Sequence, residues 1–233
     1  MQLIEVSEVG VRAAIVRLTS PKSSLVWLAF PMIHLGEPSY YRQVEEKMAE
    51  CDLVLAEGVD SKIVRALTSS YRLAAGPAQD VTVQPAFRTS AADHMTVQPS
   101  DISADEFDRA WHKMPLGLRI GIPLLAPLYG LWLRYVANPD DWQPKLETYD
   151  LPSNEEVLME GGAPEFFQLL MHRRNEHLLH QIAAVQERRS NEVRVVGVAW
   201  GAKHIGAVVG YLSAEWGYIA RSADWVTVFD YSK

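Results

Sequence analysis

Apolar and polar positions follow two periods along the chain, and the switches between them divide it into elements. Residues 3–6 and 11–18 alternate with a period near two around Glu8-Val9-Gly10, which predicts two strands joined by a hairpin turn. Residues 25–30 are apolar throughout, as in a strand covered on both faces. A helical period then takes over, with Ser39 placed to cap a helix running to about Cys51 and Val44 and Met48 four apart. Residues 53–56 return to a short apolar run. Strand, helix and strand of these lengths predict a parallel pair with a right-handed crossover.

Ile63, Val64 and Leu67 favour a helix over residues 61–73, and residues 81–84 and 94–97 read as strands that Pro85 and Pro99 make short or peripheral. Residues 103–112 predict an acidic-capped helix. Residues 116–136 are nearly all apolar and about as long as a membrane span. They are interrupted by Pro123, Pro127, Gly117, Gly121 and Gly130, with Arg119 and Arg134 near the ends. The preferred reading is a broken helical cap or an oligomer contact within an insertion over residues 103–154. A membrane contact through 116–136 is the alternative. Residues 138–154 read as a loop, and 163–187 as a long helix whose buried face Leu170, Leu178 and Ile182 mark. A buried strand over 193–199, a helix from His204 to Trp216, and an edge pair at Ile219 and 225–231 complete the pattern.

The strand at 193–199 has a near-copy. Val196, Ala199, His204 and Gly206 coincide without a gap with Val26, Ala29, His34 and Gly36, and an aromatic residue precedes each turn. The expected fold is therefore α/β: a mixed, partly parallel sheet flanked by helices, with an internally duplicated strand-loop-His-helix unit and a helical insertion. The 233 residues make one domain, 1–233.

A net charge of -7 without a run of Lys or Arg argues against a nucleic-acid partner. The single cysteine, Cys51, excludes an internal disulfide framework and a Cys-rich zinc module. The first residues, Met1 to Val6, carry no secretory pattern, so the expected location is cytoplasmic, with membrane association tied to 116–136.

His34, Glu57 and His204 each fall within a few residues of the end of a buried strand, on the edge of an α/β sheet where ligand sites form. Two imidazoles and a carboxylate are a common zinc-hydrolase ligand set. The same residues serve equally as a metal-free site in which one imidazole takes a proton and Glu57 holds its tautomer. Arg173 and Arg174 are candidates to neutralise an oxyanion or fix a carboxylate. His172, Glu176 and His180 share a helix face that reads as solvated, and His94, His112 and His177 read as structural or surface residues.

With these residues assembled, the chain resembles the TraB/GumN family of the Tiki-type superfamily, to which erythromycin esterase-like proteins are related. Gly201-Ala202-Lys203-His204 matches the group's second G-x-x-H, Glu57 its Glu after a strand, and Arg174-Asn175 its Arg-Asn element. Pro31-Met32-Ile33-His34 carries proline where that group has glycine. The resemblance implies a mixed-sheet α/β fold and a hydrolase of peptide or amide bonds that uses Zn, Mn or Co. In that reading His34, Glu57 and His204 hold the metal, Glu57, Arg174 and His204 are catalytic, and Arg173 and Asn175 bind a peptide or small-molecule substrate. Esterase-like relatives imply instead a metal-independent His base. A third reading is a non-catalytic protein that binds or sequesters a peptide or small ligand. A homo-oligomer is compatible with all three.

Overall fold

The computed structural model describes residues 1–75, 80–86, 94–137, 164–188 and 192–232. β1 (Ile4–Ser7) and β2 (Gly10–Ser20) form the expected hairpin, and Gly10 at its turn has φ 146°; a side chain there would strike the Phe229 carbonyl. β2 pairs with β1 through residues 10–13 and with β3 (Ser23–Met32) through 16–20, both antiparallel, so the two share one of its edges. Its other edge carries β9 (Ile219–Asp230), also antiparallel. Beyond β3 the sheet is parallel, in the order β3, β8 (Val195–Gly201), β5 (Leu53–Ala56) and β7 (Thr96–Pro99). The result is a mixed seven-strand sheet with helices packed against it.

Two expectations change here. β3 and β5 are parallel but not neighbours, because β8 lies between them and bonds to both. The Asp52 carboxylate fixes that insertion by accepting from the N–H groups of Arg194 and Val195 at 2.7 and 2.9 Å. The final edge pair is one strand. Bulges at Val11/Arg12 and Arg17/Leu18 let β2 keep its pairing along the whole of β9. The polar residues of β9 that resemble a turn are exposed on an edge strand.

α1 (Pro38–Met48) starts two residues earlier than a cap at Ser39 predicts, since proline suits the first helical position; Ser39 Oγ donates to Glu37. The helix expected over 61–73 divides at Thr68 into α2 (Lys62–Leu67) and α3 (Ser69–Ala74). Short β4 (Leu35–Gly36) and β6 (Thr82–Val83) pair away from the main sheet. α4 (Ala104–His112) is capped by Ser103, and α5 (Leu116–Tyr135) runs as one continuous helix through both of its prolines. The long helix is interrupted: α6 (Pro164–Phe167) leads into a π-helical segment (Gln168–Arg173) and then α7 (Arg174–Arg188). α8 (Ala202–Trp216) follows β8 directly and stops at Gly217, whose φ is 66°. The loop expected over 138–154 lies outside the described residues.

The main core fills the sheet, with Trp27, Phe30, Trp200 and Phe229 fully buried; each such side chain contributes about 1.5–3 kcal/mol. α7 is fastened to it by buried Gln186, which accepts from Trp27 Nε1 at 3.2 Å and Tyr218 OH at 3.0 Å. A second core of Ile102, Phe107, Trp111, Met114 and Leu169 recruits Val59, Ile63 and Leu118. Val59 follows β5 and Ile102 follows β7, so this core caps the carboxyl ends of the parallel strands.

Candidate active site

The four parallel strands deliver their next residues to one rim. β3 is followed by His34, β5 by Glu57 and β7 by Asp101, while β8 runs straight into α8 with His204 as its third residue. The π-helical segment ends at Arg173, so Arg174 and Asn175 open α7 beside them. The extra residue of a π turn re-aims the side chains that follow, a common device at functional sites.

Arg174 is the centre. Its Nε and Nη2 donate to Asp101 at 3.0 and 2.6 Å, Nη2 also donates to Glu57 Oε1, and the guanidinium lies 5.2 Å from the Trp200 ring centroid. Nη1 takes no part in these bonds. Glu57 Oε2 accepts from the Gly201 N–H at 2.5 Å. Asp101 also accepts from the N–H groups of Gly58 at 3.1 Å and Ile102 at 2.8 Å. Trp200 is itself held by an Nε1 bond of 2.9 Å to Ser100 Oγ.

Burial opposes the charge on Glu57, but Arg174 beside it, with help from the Gly201 N–H, brings its pKa down to about 2. Burial likewise opposes the charge on Arg174, and Glu57 and Asp101 more than restore it, keeping the guanidinium above its ordinary range. His204 goes the other way. It is 5% exposed, and burial together with the positive charge of Arg174 outweighs the pull of Glu57, lowering its pKa to about 4. Its Nδ1 lies 2.7 Å from Asn175 Oδ1, an atom that only accepts, so Nδ1 carries the proton and Nε2 the lone pair. His34 has the same arrangement with Gln84 Oε1 at 3.1 Å, and its ring packs on Tyr71 with centroids 5.0 Å apart. His34 acts electrostatically on both Glu57 and His204, which places the three in one field.

The structure thus pairs Glu57 with Arg174 and His204 with Asn175, sets the two pairs in one electrostatic field, and places His34 at the same rim. Arg173 is exposed at the end of the π-helical segment, and Asn175 gives its side-chain oxygen to His204. His172, Glu176 and His180 are exposed. Cys51 is buried, which pushes its thiol up to about 12. Sequence reasoning missed Asp101 and Gln84. The signal for Asp101 was present, an acid directly after a strand, but Pro99 demoted that strand, whereas proline is tolerated at the end of an edge strand.

For the metal reading the donor set is the test. Both oxygens of Glu57 carry hydrogen bonds, and its charge is met by a guanidinium rather than left for a cation. Among the described residues no group of three or more His, Cys, Asp or Glu side chains is arranged to hold a metal ion. His34, Glu57 and His204 in this arrangement do not fit a Zn, Mn or Co site. No known protein family, curated protein or solved structure matches the chain.

Proposed function

We propose that the chain is a metal-independent hydrolase of an ester or related acyl compound, with an imidazole activating water. The observation that carries this reading is His204, an uncharged imidazole with Nδ1–H fixed by Asn175 and its lone pair on Nε2, set against an ionised carboxylate and guanidinium. His34, the more exposed of the two and held in the same tautomer, takes the proton as the water oxygen attacks the acyl carbon. His204 Nε2 accepts from the same water and orients it. Nη1 of Arg174 donates to the carbonyl oxygen as negative charge develops there. Protonated His34 then returns its proton to the departing alkoxide. Glu57 and Asp101 act through Arg174 as positioning residues.

The order G-x-x-H, Glu and Arg-Asn around one rim supports kinship with the TraB/GumN and erythromycin esterase-like proteins. The parallel adjacency of β3 and β8 supports the internal duplication, with a register (Val26 opposite Val195) one residue out of step with the sequence match of Val26 to Val196. The second core supports reading the segment from residue 103 as a cap. A route through a divalent ion would require Glu57 to release Arg174 or the Gly201 N–H.

The test is a panel of p-nitrophenyl esters with wild type, His34→Ala and His204→Ala. Both variants are expected to lose about 100-fold or more in kcat/KM with unchanged circular dichroism, and a chelator is expected to leave the wild-type rate intact. Activity lost to chelator and restored by Zn or Mn overturns the proposal in favour of the metal reading. No turnover, with a ligand that raises Tm, overturns it in favour of a binding protein.

A further inference from the structure

Trp200 touches both the charged and the neutral half of the rim, and no step of the reaction uses it. β5 and β7 end opposite each other at Ala56 and Pro99, and β5 last pairs with β8 at Ala199. Trp200 is therefore the first residue of β8 past the end of β5, and its fully buried ring crosses that end towards β7. There Nε1 donates to Ser100 Oγ at 2.9 Å, and the same hydroxyl donates to the Ala56 carbonyl at 3.1 Å. Ser100 is itself fully buried, and its hydroxyl accepts one bond and gives one. An indole suits this span because it joins a broad apolar face to a single donor at its edge. The pin stands beside both carboxylates, since Ala56 precedes Glu57 and Ser100 precedes Asp101.

The ring meets two groups that their hydrogen bonds leave with one freedom each. The bonds of Arg174 to Asp101 and Glu57 engage Nε and Nη2, along one side of the guanidinium, and leave it able to tilt about that side. Its Cζ lies over the Trp200 ring, 5.2 Å from the centroid, where the negative π face attracts the cation and limits the tilt. Nη1 is aimed by the result. His204 is fixed at Nδ1 by Asn175, a bond about which the imidazole can still turn. Trp200 stops that turn: the two rings meet at 81° with centroids 5.2 Å apart, the T-shaped geometry that aromatic pairs prefer. The Nε2 lone pair is aimed in its turn.

We propose that Trp200 is a positioning residue of the rim: one ring, pinned by Ser100, sets the aim of Arg174 Nη1 and of His204 Nε2 together. Its effect on turnover rests on the hydrolase reading above; its coupling of the two side chains does not. The experiment removes the pin or the ring from the full chain, with Ser100→Ala and Trp200→Leu. In nitrogen–proton NMR spectra without substrate, the Arg174 Nε–H and His204 Nδ1–H signals, assigned with Arg174→Lys and His204→Gln, are expected to shift together in Ser100→Ala. His204 is the discriminating signal, because Asp101 beside Ser100 is bonded to Arg174 but not to His204. With p-nitrophenyl esters, kcat is expected to fall about tenfold in Ser100→Ala and about 100-fold in Trp200→Leu at unchanged KM. Ser100→Ala, which removes a single oxygen, carries the test if Trp200→Leu does not fold. A His204 signal that stays in place in Ser100→Ala overturns the proposal, as does a folded Ser100→Ala with wild-type kcat. A rise in KM at constant kcat overturns it too, and makes Trp200 a substrate contact. Wild type that turns over no ester overturns the hydrolase reading alone, and the NMR shifts then decide the coupling.

Discussion

The two strand-histidine segments, side by side in the sheet, solve the same local problem differently. At the end of β8, Gly201 donates its N–H to Glu57 and the chain turns at once into α8, carrying His204 into a buried pocket against Trp200 and Asn175. At the end of β3, Pro31 has no N–H to give, and the chain stays extended into β4 before α1 begins. His34 therefore rests on a two-point clamp: Gln84 N donates to the His34 carbonyl at 2.9 Å, and Gln84 Oε1 accepts from the ring. One histidine is fixed by the core and kept neutral; the other is held half-exposed at the rim.

The strongest way to break that contrast is to remove the cation that the buried half depends on. Arg174→Ala leaves Glu57 and Asp101 with side chains 9 and 1% exposed and no partner cation, and is expected to cost about 3–5 kcal/mol in urea unfolding. Arg174→Lys should recover only part of this, because an ammonium cannot reproduce the two-point bond to Asp101.

A pH series probes the buried imidazole next. Buried beside Arg174, His204 protonates only at about 4, whereas an unfolded imidazole does so near 6.5. The unfolded chain takes that proton first, so the contribution of His204 is complete above pH 6.5 and is lost as pH falls towards 4. It amounts to on the order of 3 kcal/mol. In the same urea experiment His204→Gln should flatten this part of the profile.

Smaller effects sharpen the difference between the clamps. Asn175→Ala removes the acceptor of a buried bond and is expected to cost about 1–2 kcal/mol, more than Gln84→Ala at the half-exposed His34. The smallest change is Gly201→Ala. Its Cβ would lie 3.3 Å from Glu57 Oε2 and 3.5 Å from His204 Cδ2, so a loss of about 1 kcal/mol is expected, measured as a drop in Tm.

Much of this was legible in the sequence because local pattern and local structure agree. β5 falls on residues 53–56, α4 fills the helix expected over 103–112, and Glu57, Arg174 and His204 come to one rim. What was not legible depends on distant partners. The place of β8 between β3 and β5 is set by pairing across more than a hundred residues, which no periodicity records. The π-helical turn has the same apolar spacing as an α-helix to within one residue, so the shift that presents Arg174 and Asn175 is invisible. Asp101 was hidden by Pro99. β9 was divided because its exposed half has no second face to make apolar.

The position of β8 also governs the order in which the molecule can fold. β3 and β5 emerge early in synthesis, yet each exposes an apolar edge that only residues 195–201 can fill. Until then His34 and Glu57 stand on opposite banks of a gap, and the nascent chain holds two unpaired strand edges of the kind that chaperones cover. Pairings of such long sequence separation place the protein among slow folders. The rim is therefore completed late and all at once, when one strand closes the parallel half and brings His204 with it.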